Sequence, residues 1–346
     1  MEKNTINTRI ESLDYIRGFA LLGIILVNIL ALLDINIPTE SNTLNANYQQ
    51  FLYLFVEGRF YSMFSFLFGV GFYIFITRAK EKGENGYVPF LRRLIILLVF
   101  GAIHSIFQPG EALKYYAICG FIVMPFYKVN KHINLAIGII LLIWFGFMGE
   151  KLLLTLPLIL LGLSAGQYRV FENLSQKTKK IFVFTVVTFF LSLFGLVVQY
   201  SLIPQSPFQN MILYAEDGSM DQASKFLKMG VTVGPIISAF YVGLLLLLLQ
   251  KKMVRILLSP LKYYGRMVLT NYLGQTALIL LVGNLLFKSD SVITYMQSLY
   301  ICLAIYVIQI VFSLIWLRLF RMGPLEWIWR IITYWKISPF LIKSER

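Results

Sequence analysis

Ten apolar runs, at about residues 13–33, 60–77, 94–107, 113–127, 133–149, 152–168, 181–202, 229–250, 267–287 and 294–320, leave this chain one kind of solvent. About 20 apolar residues in a helix cross a hydrocarbon core about 30 Å thick. Lipid offers the backbone no hydrogen bonds, so a spanning segment must be a helix or part of a closed barrel. These runs are rich in Leu, Ile and Phe and lack the alternation of ten-residue barrel strands. The chain therefore reads as an all-α, polytopic integral membrane protein with about ten transmembrane helices. Two runs, 94–107 and 113–127, are short, and are expected to be tilted, extended by their flanks or partly re-entrant. Composition agrees: only 14% of the 346 residues are charged, where soluble domains average about a quarter.

A net charge of +14 suggests an acidic partner until its distribution is read. With Arg17 set aside as intramembrane, about 24 of the 31 Lys and Arg fall in the two tails and the loops near 78–93, 128–131, 169–180 and 251–266. The alternate connections hold about six: Arg59, Lys114, Lys151, Lys225, Lys228 and Lys288. Such an excess marks cytoplasmic loops, which places both termini in the cytoplasm and the protein, multi-pass, in the cell membrane. The basic excess is topological, and no nucleic-acid partner follows from it.

Cys119 and Cys302 sit inside apolar runs and read as small buried residues, not as a disulfide. A charged pair within the first run, with no small-residue cleavage site after it, argues that this span is retained. No composition shift marks a soluble domain. Residues 1–321 are expected to form a single transmembrane domain and 322–346 a cytoplasmic tail. In that tail Gly323-Pro324 breaks the preceding helix, and Leu325 to Lys336, with three tryptophans, reads as an interfacial helix. The outer connection at about 203–228, with Tyr214-Ala215-Glu216-Asp217-Gly218, is expected to be a solvated loop or a substrate lid.

The first run carries a polar seam. At about 100° per residue, Asp14, Arg17 and Asn28 share roughly 60° of one helix face. Arg17 and Asn28 are separated by about 16 Å of rise, roughly half the hydrocarbon thickness. Ionisable groups in a span are costly and usually face a protein interior or a wet cavity. The third run repeats the geometry, with Arg92 and Arg93 at its inner end and His104 eleven residues beyond Arg93. His104 reads either as an interfacial histidine bonded to a backbone carbonyl or as a general base, since imidazole titrates near neutrality. His132, the other histidine, falls in a cytoplasmic loop. Glu111 is placed to orient an imidazole, or to sit as a first-turn acid at a helix N-terminus.

Three further groups stand out. In the second run Gly58, Ser62, Ser65 and Gly69 share a face, which favours close helix packing over a pore lining. Glu57 and Arg59 cap its outer end as candidate substrate contacts. In the ninth run Asn271 and Gln275, one turn apart, read as an interhelical hydrogen-bonding pair or a cavity lining, with Arg266 at the inner edge. Arg17, Arg93 and Arg266 cluster at that edge, where guanidinium groups suit phosphates, although positive-inside statistics supply the same pattern.

The chain resembles the YeiB-like family of bacterial membrane proteins, long of unknown function. The resemblance runs through Leu13-Asp14-Tyr15-Ile16-Arg17-Gly18, Glu57-Gly58-Arg59-Phe60, Arg92-Arg93-Leu94 with His104, Gly110-Glu111-Ala112-Leu113, Gly265-Arg266-Met267 with Thr270-Asn271-Tyr272, and Gly323-Pro324-Leu325-Glu326-Trp327. That family is similar to a transmembrane acyltransferase superfamily, through Asp14, Arg17, Gly18 and the polar Asn28. The wider resemblance implies a cytosolic acyl-CoA donor and an acceptor acylated outside. Sugar-modifying members carry a histidine where this chain has Asn28, and YeiB-like members usually carry Asp where it has Glu111.

The expected function is an integral-membrane acyltransferase. Arg17, Arg93 and Arg266, with Asp14, would hold the phosphates of acyl-CoA. His104 would be the base, oriented by Glu111, and Asn28 would donate to the thioester oxyanion. Glu57, Arg59, Asn271 and Gln275 are the candidate acceptor contacts. Membrane lipids and an extracytoplasmic sugar or lipid-linked acceptor are the expected partners, with a homo-oligomer left open and no metal called for. The rival reading is a transporter or channel using the same polar seam.

Overall fold

The computed structural model describes residues 10–215, 218–286 and 293–342; Lys288 and the pair Glu216-Asp217 lie outside the described residues. Among the described residues every apolar run is helical, and the sole β-pairing is one isolated bridge between Phe320 and Leu341. The order is α1 (Glu11–Leu32), α2 (Leu44–Phe55), α3 (Arg59–Glu81), α4 (Tyr87–His104), α5 (Leu113–Val123), α6 (Lys131–Met148) and α7 (Thr155–Gln167). It continues with α8 (Thr178–Tyr200), α9 (Gln222–Leu248), α10 (Lys252–Leu257), α11 (Ser259–Arg266), α12 (Val268–Leu286), α13 (Tyr295–Leu319) and α14 (Pro324–Tyr334).

Eight of these are long and apolar enough to cross a bilayer, with α2 and α3 counted as one continuous segment. The chain is an all-α polytopic membrane protein. Of the two runs read as short, 94–107 is extended by its N-terminal flank into the 18-residue α4. The run at 113–127 is not: α5 stops after 11 residues and a 3-10 segment, Met124–Lys128, completes it. α7 is also short, at 13 residues. At 1.5 Å per residue α5 and α7 reach only about 17 and 20 Å. α7 tolerates this because most of its side chains are buried against neighbouring helices. By contrast α8 turns Phe182, Phe190, Phe194 and Val197 outward, an exposure that suits lipid and not water.

Glycine contacts set the tightest crossings. A Cβ on Gly18 would run into the Leu261 carbonyl, and one on Gly265 into that of Asp14, so α1 and α11 touch backbone to backbone. Gly69 and Gly162 do the same between α3 and α7. The small-residue face of the second run is thus a packing face: Ser62 and Ser65 return their hydroxyls to the Gly58 and Tyr61 carbonyls at 2.7 and 3.0 Å.

The connections between the runs carry structure of their own. The segment before α3 holds a helix, α2, capped by the Thr43 hydroxyl. The outer connection packs on it, with Gln49 donating to the Phe208 carbonyl at 2.7 Å and Ser41 to that of Gln205 at 2.9 Å. Its described part is a largely exposed loop, tied down at Gln205 and Phe208. Arg266 at the inner edge of the ninth run ends α11, and α12 begins at Val268, so a break separates it from the span.

The helix expected after Gly323-Pro324 is α14, with Pro324 at its first turn. The chain then doubles back, Phe340 accepting from Arg321 N–H and Leu319 from Ile342 N–H. Trp316, Phe320, Trp327 and Phe340 close an aromatic cluster beneath the turn.

Candidate functional site

A cavity of about 1360 Å³ runs between α1, α3, α4, α5, α12 and α14. That exceeds the roughly 300–1,000 Å³ of ordinary small-ligand pockets. Its ends differ sharply in chemistry.

The basic end is lined by Arg17, Arg78, Lys82, Arg93, Arg266, Arg321, Arg330 and Lys336, against Asp14, Glu84 and Glu326. Arg17 Nη1 lies 3.2 Å from the buried Asp14 carboxylate, so the first motif is a preset ion pair on the wall. The Arg93 guanidinium stacks on Trp329 of α14 at 3.7 Å, and Arg266 donates to the Arg321 carbonyl at 3.1 Å. Burial of such cations in a low-dielectric wall makes each strengthen its attraction for an anion. Beyond them the waist is apolar, with Ile24, Val27, Phe64, Phe68 and Leu97.

The opposite end gathers Asn28, Glu57, Tyr61, Glu111, Tyr116 and Tyr272. Glu111 sits in the turn entering α5, where its Oε1 accepts from Leu113 N–H, so it is a helix-start acid as well as a site residue. Its Oε2 meets Nδ1 of His104, the last residue of α4. His104 Nε2 in turn meets the Thr276 hydroxyl at 2.8 Å. Tyr272 presents its ring to the imidazole edge-on, centroids 5.2 Å apart, and its hydroxyl reaches the Asn28 side chain. Both Glu111 and His104 are buried, at 1% and 6% exposure.

The expected contact between His104 and Glu111 is present. Glu111 is among the residues that line the cavity and His104 is not, but the Glu111 side chain is itself fully buried, its two oxygens taken by Leu113 N–H and by the imidazole, which Thr276 holds from the other side. His104 of α4 and Asn28 of α1 are linked through Tyr272 of α12. Carboxylate, imidazole and hydroxyl form one buried chain of contacts beside this end of the cavity.

Of the other candidates, Arg17, Arg93, Arg266, Asp14, Asn28 and Glu57 line the cavity. Glu57 accepts from Lys151 at 2.7 Å across its mouth. Arg59 does not line it: fully buried, it donates to the Gln199 side chain at 2.6 Å and to the Glu57 and Gly230 carbonyls at 2.5 and 3.1 Å. It fixes the turn that carries Glu57. Asn271 and Gln275 also lie off the cavity. Asn271 bonds the Tyr264 carbonyl and Ser313 at 3.0 and 2.9 Å, and Gln275 bonds the Tyr264 hydroxyl at 2.7 Å. They tie α11, α12 and α13 together, the interhelical alternative.

Sequence reasoning missed Tyr272, Thr276 and the cavity-facing role of α14. Tyr272 and Thr276 are one turn apart on α12, on the face that meets His104, a spacing visible in the sequence once α12 is known to adjoin α4. Trp329 and Arg330 were legible only as an interfacial anchor.

Known proteins resemble both halves. Residues 9–173 match the family described as "Heparan-alpha-glucosaminide N-acetyltransferase, catalytic", and residues 165–336 that described as "Protein of unknown function (DUF418)". The N-terminal half is thus acyltransferase-like. A 39.9 kDa protein from the amylase 3' region of Bacillus acidopullulyticus is 56% identical, over 100% of this chain and 99% of its own. YxaH of Bacillus subtilis (strain 168) is 27% identical over the same shares of the two chains. YeiB of Escherichia coli (strain K12) is 39% identical over 85 residues, 24% of this chain and 21% of its own. With motifs that run the length of the chain and a relative that matches it end to end, the protein belongs to the YeiB-like family of membrane proteins.

Proposed function

We propose that this protein is an integral-membrane acyltransferase that takes an acyl group from acyl-CoA at the basic end of its cavity and passes it to an acceptor at the other. One observation carries the reading: a single cavity joins Arg17, Arg93 and Arg266 to Asn28 and Glu111. The match of residues 9–173 to an N-acetyltransferase family supports the same reaction class. Positive-inside topology makes the basic end cytoplasmic and the acceptor extracytoplasmic, in the cell membrane. Residues 1–321 are the transmembrane domain on this reading, and 322–346 a cytoplasmic tail.

The chemistry follows from the order of the three groups. The acceptor hydroxyl or amine meets Glu111, whose carboxylate takes its proton. His104 donates Nδ1–H to that carboxylate and holds it in place. The acceptor attacks the thioester carbonyl, the C–S bond breaks, and the CoA thiolate leaves with the proton returned through the pair. The Asn28 amide supplies a donor to the oxyanion, a contribution of about 10²–10³ in rate where such donors have been removed. The phosphates stay with the arginines while the thioester crosses the apolar waist.

A cavity with chemistry at both ends also fits a conduit, the second reading. The test separates them. Purified protein supplied with acetyl-CoA is expected to release CoA slowly to water and faster with an acceptor. Arg17→Gln/Arg93→Gln is expected to weaken CoA binding by about 1.5–3 kcal/mol per lost charge-assisted bond. Flux of a solute through proteoliposomes without thioester cleavage would favour the conduit instead.

A further inference from the structure

α14 is more than a membrane anchor. An interfacial helix needs only an apolar face toward lipid and a polar face toward water. This one is pinned to the bundle by polar contacts that an anchor has no use for. The Glu326 carboxylate accepts from the backbone N–H of Leu269 and Thr270, at 2.7 and 3.0 Å, and from the Thr270 hydroxyl at 2.6 Å, capping the start of α12. Trp329 donates its indole N–H to the Arg93 carbonyl at 3.0 Å and lies under that residue's guanidinium. The pinning brings Arg321, Arg330 and Lys336 to the cavity, across from Arg17 and Arg93.

Two walls of one sign face each other there. Eight basic side chains against three acidic ones line this end. Closing the cap concentrates positive charge, which opposes closure unless an anion sits between the walls. An anion that binds the closed form and not the open one must, by mass action, stabilise closure. A lone carboxylate would neutralise a small part of that field, whereas a chain of phosphates reaches both walls and suits guanidinium geometry.

We infer that the C-terminal segment 321–342 is the second wall of a polyphosphate site, closing on the phosphates of the donor through Arg321, Arg330 and Lys336. The inference deepens the acyltransferase reading and rests on it for the identity of the donor. Phosphate could come from a soluble ester or from a lipid headgroup. The soluble ester is favoured because the basic residues line a cavity that continues past Arg17 to the apolar waist.

The experiment uses full-length protein in nanodiscs of zwitterionic lipid, with CoA, 3′,5′-ADP, inorganic pyrophosphate and, separately, phosphatidylglycerol as probes. Binding and hydrogen exchange of residues 324–334 are the readouts. CoA is expected to slow exchange across α14 in the wild type. Arg330→Gln/Lys336→Gln, which removes two side chains from the cap, is expected to bind CoA about tenfold more weakly, or 1.4 kcal/mol, and to lose the protection. Arg330→Lys/Lys336→Arg, which keeps both charges, is expected to retain binding within a few-fold. Protection by pyrophosphate or 3′,5′-ADP without CoA binding would uphold the site and overturn the acyl-CoA reading. CoA binding and turnover with α14 unprotected, or with the Gln variant at wild-type affinity, would overturn the site and leave that reading standing. Equal protection by phosphatidylglycerol alone would also overturn it.

Discussion

Replacing Glu111 separates the site's chemistry from its stability. The bonding pattern assigns Nδ1–H of His104 as donor to the carboxylate and Nε2 as acceptor from the Thr276 hydroxyl, while Leu113 N–H donates to the other carboxylate oxygen. In Glu111→Gln the amide oxygen still accepts from Leu113. The imidazole moves its proton to Nε2, Thr276 becomes the acceptor there, and Nδ1 accepts from the new NH₂. Every buried group keeps a partner, so the stability change should stay within about 1 kcal/mol, the net worth of one exchanged hydrogen bond. Glu111→Ala has no such rearrangement. It strands the Leu113 N–H and one ring nitrogen, each at about 1–3 kcal/mol, for a loss of about 2–6 kcal/mol. Both variants lose the proton acceptor, a contribution of about 10²–10⁴ in rate. CoA release from acetyl-CoA, followed with a thiol reagent, reads the chemistry, and thermal unfolding in detergent reads the stability. A Glu111→Gln protein that turns over normally would refute the carboxylate's role. One as unstable as Glu111→Ala would refute the bonding pattern.

Three more outcomes follow from the same geometry. Thr276→Val keeps the shape but leaves His104 Nε2 unpaired, so thermal unfolding should show a loss of about 1–3 kcal/mol and acetyl-CoA turnover should fall; unchanged values for both would remove Thr276 from the site. Asn28→Ala should lower turnover by about 10²–10³ with little change in CoA binding, the behaviour of an oxyanion donor. Burial holds the Glu326 carboxyl above its ordinary value of 4.5 despite the N–H groups it accepts from. Its proton-linked contribution to cap docking is therefore full below that value and disappears as pH rises through the raised one. Exchange of residues 324–334, corrected for intrinsic rates, should be slower below pH 4.5 than at neutrality, and Glu326→Gln should flatten the difference.

The spans and their polar ends were legible because hydrophobicity over 20 residues is a local property that tertiary packing rarely overrides. Arg17, Asn28 and Arg93 followed from helical periodicity on single spans, and each lines the cavity. What could not be read was how Glu111 and His104 are brought together. They are seven apart, and their pairing depends on the turn between α4 and α5. Arg59, Asn271 and Gln275 show the complementary error. A polar group in a span signals a need for partners, and interhelical bonds meet that need as well as a ligand does. For α14 the limit is different: an amphipathic helix with tryptophans has the composition of an anchor, and its bonds to Arg93, Leu269 and Thr270 depend on tertiary packing that composition does not encode.

The central claim is that one donor molecule occupies the whole cavity, phosphates at the basic end and thioester beside Glu111. A cryo-electron microscopy map of the protein with a non-hydrolysable thioether analogue of acetyl-CoA tests it directly. The account predicts phosphate density between Arg17, Arg93 and the C-terminal cap, with the acyl carbonyl beside Asn28 and Glu111. Density confined to the outer surface, or an analogue bound at the basic end with its acyl group directed away from Glu111, would contradict it.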